Sequence, residues 1–186
     1  MKTIIYSKFK ALLLVMVIAI LSSCSTDEVP VENEIISYDF QLKKAKTSDD
    51  QVAILTKAMR KFHNFEVAKA HGYDMVVSPF VPEMGIHYLN PDYVDGKFDL
   101  LHPEILVYYP DENGKMNFGA AEYLIPIPEC ESVLVYGPAP EGFIGNEDHW
   151  HVNCDAKGWT LHAWVGLENE LGVFYPTNAA VPVPNP

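Results

Sequence analysis

The sequence Glu-Ile-Leu-Val-Tyr-Tyr-Pro-Asp-Glu-Asn-Gly-Lys-Met-Asn-Phe-Gly-Ala-Ala-Glu-Tyr-Leu-Ile, residues 104–125, places two β-prone runs on either side of a turn. Glu104–Tyr109 and Met116–Ile125 are rich in aliphatic and aromatic side chains, which suit a pleated surface. Asn113-Gly114 between them is a strong hairpin signal, because a type I′ turn needs positive φ at both central residues. Outward from this hairpin the same texture recurs at Gly85–Asn90, Ser132–Tyr136, His149–Asn153, Thr160–Leu167 and Val173–Tyr175, punctuated by Pro, Gly or Asn. A helix precedes them all. Ser48-Asp49-Asp50-Gln51 has the capping-box pattern, and Val52, Leu55, Met59 and Phe62 follow on one helical face. The pattern continues through Phe65 and Ala68 to Gly72, a natural C-terminal stop. These signals predict an α+β fold: an N-terminal helix packed on a mainly antiparallel β-sheet or small barrel. The domain is expected over residues 48–180, followed by a Pro-rich tail at 181–186.

The chain has 186 residues, 48% apolar and 20% charged, which describes a globular protein and not a disordered one. Thirteen basic against 25 acidic side chains give a formal charge of −12. Nucleic acid is excluded as a natural partner, since a negative chain repels phosphate backbones. Beyond Gly72 there are 3 Lys and 17 Asp or Glu, so the acidity belongs to the β-rich part. That part also holds five of the seven histidines, and an acidic surface attracts cations.

The first residues read as an address. Lys2, Lys8 and Lys10 precede an uncharged apolar run, Ala11–Ile20. At about 1.5 Å per residue this run reaches only half of a ~30 Å hydrocarbon core, which fits a signal-peptide core better than a permanent span. Leu21-Ser22-Ser23-Cys24 follows, and here the chain resembles the lipobox of bacterial lipoproteins. The resemblance implies removal of residues 1–23, acylation of Cys24 with chains such as palmitate, and a tether over residues 24–47. It also implies anchoring in the bacterial cell envelope, in the outer membrane. Ser25-Thr26-Asp27-Glu28 resembles the acidic export signals of surface lipoproteins. The block from the helix to Leu161-His162-Ala163-Trp164 is similar to a group of secreted bacterial proteins, a likeness that brings no activity with it. Two thiols remain after acylation, Cys130 and Cys154. In an oxidising compartment they are candidates for a disulfide; the alternatives are metal ligands or buried thiols.

The chemistry-bearing pattern is His149-Trp150-His151 followed by His162. Residues two apart in a strand share a face, and a turn at Lys157-Gly158 brings His162 beside them. Imidazoles converging from adjacent strands are donors for a divalent transition metal such as zinc, copper or iron. His87 and Glu122 are the further candidates. Glu122 interrupts an apolar strand, where a carboxylate needs a cation or donors, and it is also the candidate base for a metal-bound water. His63 and His71, on or at the end of the helix, read as surface residues, and His102, before Pro103, as a loop residue. The expected function is therefore an envelope-anchored metal-binding domain. The alternatives are a non-enzymatic module holding envelope glycan or protein on a Trp/Tyr surface, and a structural envelope protein. Trp150, Trp159 and Trp164 supply that surface unless they fill the core. A phosphate-binding glycine loop, a Gly-x-Ser-x-Gly elbow and a His-Glu-x-x-His motif are all missing, and Arg60 is the single arginine.

Overall fold

A computed structural model describes residues 31–130 and 137–184. Cys24, the signal segment and the expected strand Ser132–Tyr136 lie outside the described residues. The chain divides into a short unit, Met1–Ile35, and a larger one, Ile36–Pro186, which holds the β-sheet and the candidate site.

Three helices come first: α1 (Val31–Leu42), α2 (Ser48–Met59) and α3 (Phe65–Ala70). Helix α1 replaces much of the expected tether. Ile35, Tyr38 and Leu42 recur at helical spacing, and Leu42 packs against the core of the larger unit. Helix α2 has a capping box, set one residue earlier than expected. Thr47 is the N-cap: its hydroxyl accepts from the Asp50 N–H, and the Asp50 carboxylate accepts from the Thr47 N–H. The expected long helix is broken into α2, a 3₁₀ turn at Arg60–His63, and α3, which Asn64 caps through its side chain. Gly72 closes α3 as anticipated. With φ at +92°, it lets the Tyr73 N–H reach the Ala68 carbonyl and its own N–H reach that of Lys69, a Schellman arrangement.

Six antiparallel strands follow: β1 (Met75–Val81), β2 (Gly85–Leu89), β3 (Ile105–Pro110), β4 (Met116–Pro126), β5 (His151–Asn153) and β6 (Gly158–Ala163). Their order is β1-β2-β3-β4-β6-β5, a curled open sheet of half-barrel shape. The sequence missed β1, because Pro79 breaks the pattern. The strand tolerates it at the sheet edge, where one side of the backbone needs no ladder partner. Val173–Tyr175 is not a strand: the Val173 carbonyl takes one bond, from the Trp164 N–H, and Gly172 turns the chain at φ +113°. Strand β6 ends at Ala163 and not at Leu167, since the Gly166 and Leu167 N–H groups cross to the Gly119 carbonyl. The β3–β4 turn is not type I′ either. Asp111 organises a longer loop by accepting from Asn113 and Lys115, and only Gly114 takes positive φ.

Strand alternation gives the sheet two faces of opposite character. One carries Leu106, Tyr108, Ala121, Tyr123, Leu161 and Ala163 and packs on Leu55, Met59, Phe62 and Ala68 of the helical layer. Burying these side chains away from water supplies the main driving force for the fold. The other face carries His87, Val107, Ala120, Glu122 and His162, a set fixed by the registers His87↔Val107, Val107↔Ala120 and Glu122↔His162. A disulfide joins Cys130 to Cys154, with Cα atoms 5.1 Å apart and a sequence separation of 24. Closing a loop of that size contributes about 3 kcal/mol in the chain-entropy description.

Candidate metal centre

Glu122 on β4 stands directly opposite His162 on β6, and His87 reaches the same point from β2 across the intervening β3. The curl of the sheet toward this face makes that reach possible. His87 Nε2 lies 3.5 Å from Glu122 Oε2, and His162 Nε2 lies 3.8 Å from Glu122 Oε1. One donor atom from each residue fits within 4.8 Å of the others, and this is the one such group of three among the described residues. Burial is nearly complete, with His87 at 5%, Glu122 at 3% and His162 at 1% exposure. Trp164 stacks on the His162 ring, with planes 10° apart, and shields it from solvent.

Burial sets the charge state. It lowers the His162 pKa to about 3, with His87 and His151 adding to the effect, and lowers that of His87 to about 4. It also raises Glu122 to about 8, with Glu104 contributing. Without a cation the centre is therefore neutral at pH 7: two free-base imidazoles and a protonated carboxyl. Neutral imidazoles have lone pairs ready to donate, while the carboxyl must lose its proton to join them. The hydrogen-bond inventory points the same way. Glu122 Oε2, His87 Nδ1 and both ring nitrogens of His162 are buried without a hydrogen-bond partner. Several orphaned polar atoms converging on one point are costly unless something ligates them.

The structure brings together three of the residues singled out from sequence and leaves two aside. His151 pairs with Thr160 on the edge strand and borders the cluster, with its Nε2 also buried and unpartnered. His149 is outside the group and precedes β5. His-x-His spacing gave it undue weight, because the strand begins only at His151. His63 sits edge-on to Phe118, the His71 ring meets the Val67 carbonyl, and the His102 ring pairs with Asp99 at 2.9 Å. Trp164 is buried, and Trp150 packs edge-on against Phe98 beside the core.

Glu104 was not anticipated. It stands at 1% exposure on the helix-facing side of the sheet and accepts from the Leu124 N–H at 3.0 Å. Burial raises its pKa to about 7. Its position at the polar start of an apolar run gave no sign that it is buried. No helix among the described residues is long and apolar enough to cross a membrane. Comparison with known proteins returns no match to any family model, curated protein or solved structure.

Proposed function

We propose that this protein is an envelope-anchored, extracytoplasmic metal-binding lipoprotein whose centre is His87, Glu122 and His162. The observation that carries the reading is the convergence of three buried donors, each with at least one polar atom left without a hydrogen-bond partner. Two imidazoles and a carboxylate suit zinc, copper or iron, and the acidic β-rich part favours cation capture. Three protein donors leave a coordination position open, so a bound water or small ligand can complete the shell. His151, whose buried Nε2 is also without a partner, borders the cluster.

Metal analysis on protein purified without a His tag tests the centre. One equivalent of metal per chain is expected, with affinity falling about 100-fold or more in Glu122→Gln and His162→Ala and holding in His149→Ala. Substoichiometric metal in the wild type, or metal indifferent to Glu122→Gln and His162→Ala, would overturn the reading. Anchoring rests on Cys24 and is tested separately by labelled-palmitate feeding. Label is expected in the wild type and not in Cys24→Ala; equal labelling of both refutes lipidation at that thiol.

A further inference from the structure

His87 and Glu122 both line a cavity of about 510 Å³. That volume falls in the range of small-molecule sites, ~300–1,000 Å³. Its walls are mainly apolar, with Val77 and Val81 on β1, Leu89 on β2, Ile105 on β3 and Leu124 on β4, while Ser78 and Asn153 add polar side chains. His162, the third donor, is not part of the lining. A metal held by all three residues would therefore be covered on the His162 side and approachable from the cavity.

Charge then limits what can approach. A divalent cation held by one carboxylate and two neutral imidazoles keeps one positive charge. Buried beside apolar walls, that charge is costly unless an anion is paired with it. A single negative charge neutralises the centre and fills the open position together. A dianion would leave its second charge among Val81, Leu89, Ile105 and Leu124. A phosphate would need several cationic donors, yet Lys157, offset by Asp155, is the one Lys or Arg in the lining. Asp155 and Lys157 are both exposed at the rim and offset each other, so selection of the headgroup falls to the floor.

We propose, resting on the metal reading above, that this cavity takes a small apolar monocarboxylate. Its carboxylate binds the metal at His87 and Glu122, and its hydrocarbon body lies along Val81, Leu89, Ile105 and Leu124. Adding such a chain buries its methylenes at about 0.8 kcal/mol each, so affinity rises with chain length until the cavity is filled.

Titration calorimetry on the mature chain, with zinc loaded and with zinc removed by chelation, tests this with octanoate as the probe. Octanoate is expected to bind one per chain, at least about tenfold more tightly than succinate and about tenfold more tightly with zinc than without. Val77→Trp, which fills the cavity mouth from the edge strand, is expected to weaken octanoate about tenfold while zinc stoichiometry is unchanged. If zinc binds but octanoate does not, or succinate binds equally well, the ligand assignment falls and the metal centre stands. Octanoate affinity unchanged by zinc removal overturns the headgroup placement. Failure of the wild type to bind zinc removes the metal reading and this assignment with it.

Discussion

Raising the pH of the metal-free protein from about 5 to about 9 is expected to lower its urea midpoint steeply, and Glu122→Gln to remove most of that loss. The direction follows from burial. The Glu122 carboxyl has a pKa of about 8 in the folded protein against an ordinary value of 4.5, so the folded state holds its proton more tightly. That contribution to stability is complete below the unfolded pKa and is lost as pH rises through the folded one. At about 1.4 kcal/mol per pKa unit, the full loss is on the order of 4–5 kcal/mol, a large share of a domain's stability. Glu104 acts in the same direction, with a folded pKa of about 7. Its loss is complete nearer neutrality, and Glu104→Gln retains an acceptor for the Leu124 N–H. His87 and His162 oppose both carboxyls. Their folded pKa values, about 4 and about 3, lie below the ordinary histidine value of 6.5. Their contribution is present above the unfolded pKa and is lost as pH falls through the folded values. The metal-free protein should thus be most stable on the mildly acidic side of neutrality. Bound zinc should reverse the alkaline loss by holding Glu122 ionised at no desolvation cost. An alkaline limb of the same depth in Glu122→Gln as in the wild type would show that the buried carboxyl is not its cause.

The fold class was legible because its signals are local. Strand β4, Met116–Pro126, runs one residue beyond the β-prone stretch Met116–Ile125, and Gly72 stops α3 because a Schellman turn needs positive φ there. What escaped was set at a distance. Pro79 argued against a strand, but β1 lies at an edge that only the assembled sheet defines. The helix break at Arg60–His63 is likewise tertiary: the Phe62 carbonyl, freed by the 3₁₀ turn, receives the Tyr108 hydroxyl from across the core at 2.6 Å. The same division holds at the site. Glu122 stood out because a carboxyl within an apolar strand demands a partner. His162 stood out through its place after the Lys157-Gly158 turn. His87 is brought in by curvature over β3, which no spacing encodes, whereas His149 was favoured because residues two apart in a strand share a face, and β5 begins only at His151. The pairing of Glu122 with His87 is a property of the bent sheet.

Removal of the Tyr108 ring is expected to have an effect of similar size through an unrelated cause. Tyr108→Ala should cost about 4 kcal/mol, and Tyr108→Phe about 1–2 kcal/mol. Tyr108 is fully buried, with Phe65, Tyr88 and Phe118 rings 4.8, 5.8 and 5.7 Å from its own. Truncation to Ala removes these aromatic contacts and leaves a cavity between sheet and helices. Phe keeps the ring and leaves the buried Phe62 carbonyl without the hydroxyl that now satisfies it. The gap between the two variants in urea denaturation therefore separates packing from hydrogen bonding. Equal costs would mean that the ring contacts contribute little. The neighbouring residue, Val107, points to the opposite face and pairs with His87, so Tyr108 and the donor cluster are separated by the thickness of one strand. Tyr108→Phe should consequently lower stability while zinc stoichiometry at pH 7 stays that of the wild type. Glu122→Gln should do the reverse, stabilising the metal-free chain at alkaline pH while losing the metal. If Tyr108→Phe lost zinc as His162→Ala does, the centre would depend on helix docking. Sheet curvature alone would then not suffice to hold His87, Glu122 and His162 together.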